Sequence, residues 1–507
     1  MFVLISVHSF MYSSLAPIYG VGYDSSFSVG SATSILNYGW PIPVDIYPPT
    51  VQIVAKWPAF SILAGMIHII GSIGWADILR FLPSLIYCLV GISLYLFASK
   101  SLSMSPGSSA TLGVVAPLSL GFMMLNGFVN GGLGTPLLCL TIYLVGQTSK
   151  TVDSKSPFII CLIIATITIV IGHHLTAFYL LLIFILFFLH SHLKDIGYRT
   201  NERASEEAVR TQFNLSVSSR ILLLYFIAVS IYWASVGTDV LPLILQGFIG
   251  VTTVQINTAP STFLSNPVSG FNNLVDYSIF IVFGIIVIQN HKNNKRRTDN
   301  EGWPLFLFAS IIMIVVFLGG RIRGAVGEFA RGSALAFVFL FAAFLSSRDE
   351  LRLKSAKLSI LLLALILIYS CNQVVRYDQT LGILQPWADP DYSNVPPRGG
   401  FIKSEDLNAV LWFPENESVI GDQIIYSVAA WRSLLVEINT EVFQGNLSAA
   451  GDAHWIFLRD TNIQFVFCPY QSSDSFGVNS FAIATLEKEI RVFDNGGVTI
   501  YSLGSSS

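Results

Sequence analysis

The stretch PAFSILAGMIHIIGSIGW, residues 58–75, decides which way every later segment of this chain faces. A helix that crosses a membrane needs ~17–25 mostly apolar residues, because each adds ~1.5 Å across ~30 Å of hydrocarbon. By length and composition this stretch qualifies. Its neighbours argue the other way. Basic residues collect in the cytoplasmic loops of membrane proteins. Counting this stretch as a crossing would turn every later loop inside out. It is therefore read as an amphipathic helix lying on the outer surface, within one long first outer loop, residues 20–79.

Working outward, the apolar runs read as crossings are 2–19, 80–98, 110–126, 132–147, 157–172, 174–190, 220–237, 274–290, 303–319, 333–346 and 358–371. With the N-terminus inside, 16 Lys and Arg residues fall in the inner loops, among them Lys100, Lys150, Arg199, Lys292, Arg297 and Arg352. The outer side then holds Lys56, Arg321, Arg323 and Arg331, with Arg80 at a helix mouth. The bias repeats at each crossing and places residues 372–507 outside. The first run, 2–19, is read as an uncleaved helix, since it lacks the basic start of a signal peptide.

Composition agrees with lipid as the solvent. The chain has 507 residues, 53% hydrophobic and 12% charged, against roughly 25% charged in a soluble domain. The charge is also unevenly placed. Residues 376–507 carry 7 basic and 16 acidic side chains, while residues 1–371 carry 21 basic and 15 acidic. The expected fold is a helical polytopic membrane domain over 1–371, with about eleven crossings, and a small extracytoplasmic α/β domain over 372–507. In that tail, Ser404 caps a predicted helix through Trp412. Residues 463–470 look like a strand, and 491–503 a hairpin turning at Asn495-Gly496-Gly497. The five cysteines form no CxxC pair, and no basic cluster interleaved with aromatics suggests nucleic acid.

Charges at a membrane mouth are expensive and so draw attention. Asp24, in GYDSSF, stands just past the first run, where a carboxylate would serve as general base or metal holder, or simply be solvated. Asp45, in PVDIYPP, shares its loop. Lys56, Arg321, Arg323 and Arg331 lie outside against the charge bias. Phosphate binding accounts for such cations, as does snorkelling toward the interface. His173 and His174, in GHHLTAF, sit at an outer helix end and fit either a site or an interfacial anchor. The loop Asn126 to Gly132 has no acid and reads as a tight turn. Asn416 and Asn446 head sequons in the outer tail.

Taken in order, Asp24, SILNYGWPIP (34–43), Lys56-Trp57-Pro58, Gly71, Gly74 and Arg80-Phe81-Leu82-Pro83-Ser84 resemble a known pattern. The chain resembles the GT-C superfamily of membrane glycosyltransferases, closest to the branch of protein O-mannosyltransferases and aminoarabinose transferases. The resemblance is strongest over 20–98 and extends to GHHLT and the outer tail. It implies a multi-pass enzyme of a prokaryotic cell membrane that takes sugar from a polyprenyl-phosphate donor. On this pattern Asp24 is the essential acid, with a divalent metal as an allowed helper. Lys56 meets the lipid phosphate, and the outer arginines and histidines add contacts to the substrate. The acceptor, whether protein, lipid or glycan, is left open.

The chain departs from the pattern in three places. Ser25 follows Asp24 where the family often has a second acid. Trp57 intervenes between Lys56 and Pro58. The tail has no Trp-Trp-Asp-x-Gly, so oligosaccharide transfer onto asparagine is not expected. Two other readings use the same outer cations: a flippase or transporter of lipid-linked glycans, and a non-catalytic membrane scaffold.

Overall fold

A computed structural model describes residues 23–41, 55–124, 130–150, 155–200, 217–238, 267–293, 302–320 and 326–351, with Ala364, Ile368 and seven strands of the tail. The helices are α1 (Tyr23–Tyr38), α2 (Pro58–Gly71), α3 (Trp75–Leu96), α4 (Pro106–Met124), α5 (Asn130–Lys150), α6 (Lys155–Val170), α7 (His174–Thr200), α8 (Ser219–Ser235), α9 (Pro267–Asn293), α10 (Gly302–Gly320) and α11 (Val326–Leu351). The expected crossings from 80 to 346 each fall on one of these helices. The run 2–19 lies outside the described residues, and of 358–371 only Ala364 and Ile368 are described. Among the described residues, one apolar segment, His174–His192, is by itself long and apolar enough to cross a membrane. The apolar parts of the other helices, as described, are shorter.

The chain divides into two compact units. The first holds Met1–Ile5, Ile86–Met124 and Gly131–Arg376, and the second Ser6–Leu85, Leu125–Asn130 and Tyr377–Ser507.

In the first unit, α11 is the core helix. A helix apolar on all sides must be buried on all sides, and Leu335–Leu345 are each at most 6% exposed. Phe283 of α9 stacks on Phe344 at 4.4 Å and on Phe341 at 5.6 Å. Side-chain pairs fix the helix directions. Gln147 Nε2 donates to Ser101 Oγ at 3.3 Å, tying the end of α5 to the turn that closes α3. Asn290 Nδ2 donates to the Ser347 carbonyl at 3.2 Å, joining the ends of α9 and α11. His291 stacks on Trp303 at 4.3 Å, where α9 ends and α10 begins. At the other end, Gly134 lies against Thr176 and His173, and Gly332 against Tyr179 and Val316. So α3, α5, α7, α9 and α11 run one way and α10 the other. Stretches that the charge bias assigns to one side gather at one end of the unit.

Large apolar side chains form exposed stripes on the flanks. They include Ile160, Ile163, Ile164 and Ile167 on α6, and Leu223, Leu224, Phe226, Ile227 and Ile231 on α8. Soluble proteins rarely expose contiguous apolar patches of this kind.

The second unit holds α1, which the sequence reading did not anticipate. Its face is made of small residues, with Ser28, Val29, Ser31, Ala32 and Ser34 all buried. That face packs on α2, where Ser61 Oγ donates to Ser31 Oγ at 3.1 Å. Gly39, at φ 80°, ends α1, and its N–H bonds the Ile35 carbonyl at 2.9 Å. Helix α2 has Pro58 at its start and Ser72 in the left-handed region just after its end. Its 14 residues span about 21 Å, short of a ~30 Å hydrocarbon layer. The sequence spacing sets Phe60, Leu63, Ile67 and Ile70 toward lipid or protein; Phe60 is buried together with Ser61, Ala64 and Gly65, Leu63 and Ile67 are half-buried, and Ile70 is 77% exposed. Small residues let the α1 backbone approach, and Gly65 lies against Leu36. After Ser72 the chain turns and α3 begins at Trp75, five residues ahead of the expected 80. His68 Nδ1 donates to the Ile73 carbonyl at 2.7 Å, and its ring stacks on Trp75, closing the corner.

The tail strands are β1 (Ser418–Ile420), β2 (Leu435–Glu437), β3 (Trp455–Arg459), β4 (Phe465–Val466), β5 (Ser475–Phe476), β6 (Ile490–Asp494) and β7 (Val498–Ser502). Five make a mixed sheet in the order β2-β1-β3-β7-β6, while β4 and β5 pair separately. The expected hairpin at 491–503 is β6–β7, antiparallel with an irregularity between Arg491 and Phe493. The run 463–470 carries the short β4. The predicted helix from Ser404 to Trp412 lies outside the described residues.

Candidate functional site

In the second unit, Asp24 occupies the first turn of α1. Asp45 lies outside the described residues. Lys56 is half-buried, just before α2. Its surroundings are fixed on both sides: Trp57 is 5% exposed, and the Ala55 carbonyl accepts from Trp40 Nε1 at 3.0 Å. Trp40 belongs to SILNYGWPIP, so that phrase pins the backbone next to the lysine. The chain is thus shaped so that the loop after α1 holds the start of α2, and Lys56 sits at that junction.

In the first unit, GHHLTAF forms the turn between α6 and α7. The Gly172 and His173 amides both bond the Ile169 carbonyl as α6 ends. His173 then caps α7. Its Nδ1 accepts from the Thr176 backbone N–H at 3.3 Å and lies 2.8 Å from Thr176 Oγ1. The first N–H groups of a helix have no partner within it, and a side-chain acceptor three residues upstream supplies one. His173 and Thr176 are both buried, and the His174 ring lies 5.1 Å from that of His173.

Two glycines allow this packing. A Cβ on Gly134 would stand 2.5 Å from Thr176 Oγ1 and 3.3 Å from His173 Cβ. A Cβ on Gly332 would run into the Tyr179 hydroxyl and Val316. Gly332 follows Arg331 in GGRIRGAVGEFARG. So the starts of α5, α7 and α11 meet at one end of the unit, the end that carries His173 and, one residue from Gly332, Arg331. Arg331 lies in the second turn of α11. Arg321 and Arg323 lie outside the described residues. The two units are separate bodies, so the histidine group and the Asp24–Lys56 group each stand in their own frame. Among the described residues no group of three or more His, Cys, Asp and Glu could hold a metal ion.

Sequence reasoning missed Thr176, Gly134, Tyr179 and Gly332. The signal for Thr176 was present: a residue three places after a potential cap is where a capped amide belongs. Nothing in the sequence pairs Gly134 with Thr176 or Gly332 with Tyr179, since those contacts join distant segments.

No protein-family model matches the chain, and no curated protein does. Solved structures do. The oligosaccharyltransferase of Archaeoglobus fulgidus, in complex with Zn and sulfate, matches with a TM-score of 0.52 at 13% identity, over 90% of this chain and 67% of that one. The apo form of that enzyme matches with a TM-score of 0.50 at 13% identity, over 90% of this chain and 69% of that one. At such identity the likeness is one of fold alone: the chain shares the fold of that oligosaccharyltransferase.

Proposed function

We propose that this chain is a membrane glycosyltransferase that moves a sugar from a polyprenyl-phosphate donor to an acceptor on the non-cytoplasmic side. The observation that carries the reading is the gathering of GHHLT and the Arg331-bearing start of α11 at one end of the first unit, through Tyr179 and Gly332. The fold shared with that oligosaccharyltransferase supports it. The exposed isoleucine and leucine stripes on α6 and α8 suit lipid on the flanks. A lipid-linked donor keeps its chain in the bilayer and its phosphate at the interface, so an enzyme for it needs cations and N–H donors at a helix end.

The reaction is an inverting displacement. Asp24 takes the proton of the acceptor hydroxyl or amine, with Asp45 as second choice. The acceptor atom bonds the anomeric carbon as the bond from that carbon to the phosphate oxygen breaks. The electron pair leaves with polyprenyl phosphate, whose charge Lys56 meets. A divalent ion, where one takes part, would be held by the Asp24 or Asp45 carboxylate and would neutralise the leaving phosphate. Oligosaccharide transfer onto asparagine is not part of the proposal, because the tail lacks Trp-Trp-Asp-x-Gly. The branch favoured is that of protein O-mannosyltransferases and aminoarabinose transferases, on the match over 20–98.

The test is turnover by purified protein in nanodiscs, supplied with polyprenyl-phosphate sugars. Release of polyprenyl phosphate with a new glycosidic product is expected. An intact wild type that neither transfers nor hydrolyses any such donor, while moving it between leaflets, would establish the transporter instead.

A further inference from the structure

We infer that α2 is held between α1 and lipid: one side packs on α1, and the open face of Ile62, Met66, Ile69, Ile70 and Ile73 enters the acyl chains of the outer leaflet. The inference concerns the second unit alone and goes beyond the proposed reaction. The five residues are spaced by four, three, one and three positions, which is one side of a helix carried on into its corner. All five are exposed. The other side of α2 buries Phe60, Ser61, Ala64 and Gly65, with Ser61 bonded to Ser31 of α1 and Gly65 against Leu36. His68, the polar ring of the helix, follows Ser61 by seven residues and so falls on that packed side, away from the open face.

Charge, flanking rings and continuity make lipid the occupant of the open face. No Asp, Glu, Lys or Arg lies between Lys56 and Asp77, so the face offers nothing to a charged partner and enters hydrocarbon without burying a charge. An interfacial helix ordinarily turns a charged second face to water. Helix α2 has none, because α1 takes the place of water there. An indole stands at each end. Trp40 is exposed and reaches the start of α2 through its Nε1 bond to the Ala55 carbonyl, while Trp75 closes the other end by stacking on His68. Such rings collect where hydrocarbon meets water. The apolar surface also continues past the corner, since Phe81 and Leu85 of α3, about one turn apart, are exposed in the same unit. A helix lying flat in this way keeps Lys56, two residues ahead of its start, at the level of the headgroups.

The experiment places single cysteines in the full chain, its native cysteines replaced by serine, as Met66→Cys, Ile69→Cys, Ile70→Cys and the exposed control Asp77→Cys. Each carries a small fluorophore and is reconstituted in phosphatidylcholine vesicles. The quenchers are iodide in the water and phosphatidylcholine bearing a nitroxide, either near the headgroup end of its acyl chain or near the methyl end. Labels at 66, 69 and 70 should lose most emission to the nitroxide near the headgroups, less to the deep one and little to iodide. The label at 77 should show the reverse order. A flat helix lies ~5–10 Å into the leaflet, which is why the shallow quencher should win.

Iodide quenching at 66, 69 and 70 equal to that at 77 overturns the inference, because the face then meets water. Protection from every quencher overturns it too, and assigns the face to protein, whether a second copy of this chain or another partner. Strongest quenching by the deep nitroxide overturns it as a crossing. Should the cysteine variants not fold, photoactivatable phosphatidylcholine decides the matter on the unaltered chain. Adducts on the peptide that holds Met66, Ile69 and Ile70 support the inference, and adducts on α6 and α8 without any on α2 overturn it. A protein that transfers no sugar defeats the proposed function and leaves this inference standing. Sugar transfer by a protein whose α2 face meets water defeats this inference alone.

Discussion

Gly91 of α3 and Gly113 of α4 face each other so closely that a Cβ on Gly91 would stand 2.8 Å from the Gly113 carbonyl oxygen. The reverse contact, from Gly113 to the Gly91 carbonyl, is 3.0 Å. Without a strong hydrophobic drive between helices in lipid, such close backbone approach is a main source of helix association. Gly91→Ala should therefore destabilise the bundle by about 1–3 kcal/mol, the usual cost of overpacking a tight site. Gly284→Ala is the control. Its Cβ would meet only the ring end of Phe306, at 3.1 Å, which can swing aside. Thermal unfolding in one detergent compares the two, and equal shifts would contradict the argument.

The contact between Gly332 and Tyr179 predicts a rescue. Gly332→Ala should impair stability and transfer together, because its methyl group enters the space of the Tyr179 hydroxyl and of Val316. Tyr179→Phe removes the hydroxyl. The double variant should lose less than the sum of the two single changes, with a coupling of about 0.5–3 kcal/mol for residues in contact. Additive losses would mean that the two positions do not share this space.

Chemistry is tested at the two carboxylates of the first outer loop. Asp24→Asn keeps the side-chain shape and removes the charge. Loss of a general base typically slows a reaction ~10²–10⁴-fold, and kcat is expected to fall in that range while donor binding through Lys56 persists. Lys56→Gln should instead raise the KM for the donor. Wild-type rates in Asp24→Asn with a dead Asp45→Asn would move the assignment to Asp45. Wild-type rates in both would end the carboxylate mechanism.

Sidedness follows from the charge bias. Single cysteines placed at 294 and 420 and treated with an impermeant thiol reagent from outside should be labelled at 420 only. Labelling at 294 and not at 420 would invert the topology.

The sequence made the helices legible where their apolar runs were long. The segments from 110 to 346 fell on α4 to α11 because hydropathy and loop charge act locally. The hairpin β6–β7 was legible for the same reason, with Asn495-Gly496-Gly497 between two alternating runs. Helix α1 was not, since Tyr23–Tyr38 is rich in Ser, Thr and Gly and has no strong apolar face. Its helix is stabilised by burying small residues against α2, a tertiary effect that overrides propensity. The parallel pairs β1–β2 and β1–β3 were equally hidden, because a parallel ladder joins strands distant in sequence. Of the candidate site, His173 was visible as a residue but not as a cap. Its role depends on Thr176 for orientation and on Gly134 for space.

Helix α6 has 16 residues and α8 has 17, so each spans only about 24–26 Å at ~1.5 Å per residue. They pack together and carry the exposed isoleucine and leucine stripes. A bilayer with ~30 Å of hydrocarbon is too thick for that flank, and lipid accommodates short helices by thinning around them. Headgroups beside α6 and α8 are then drawn inward, to the level of the turn that carries His173. Hydrophobic mismatch would then shape the lipid that meets this flank.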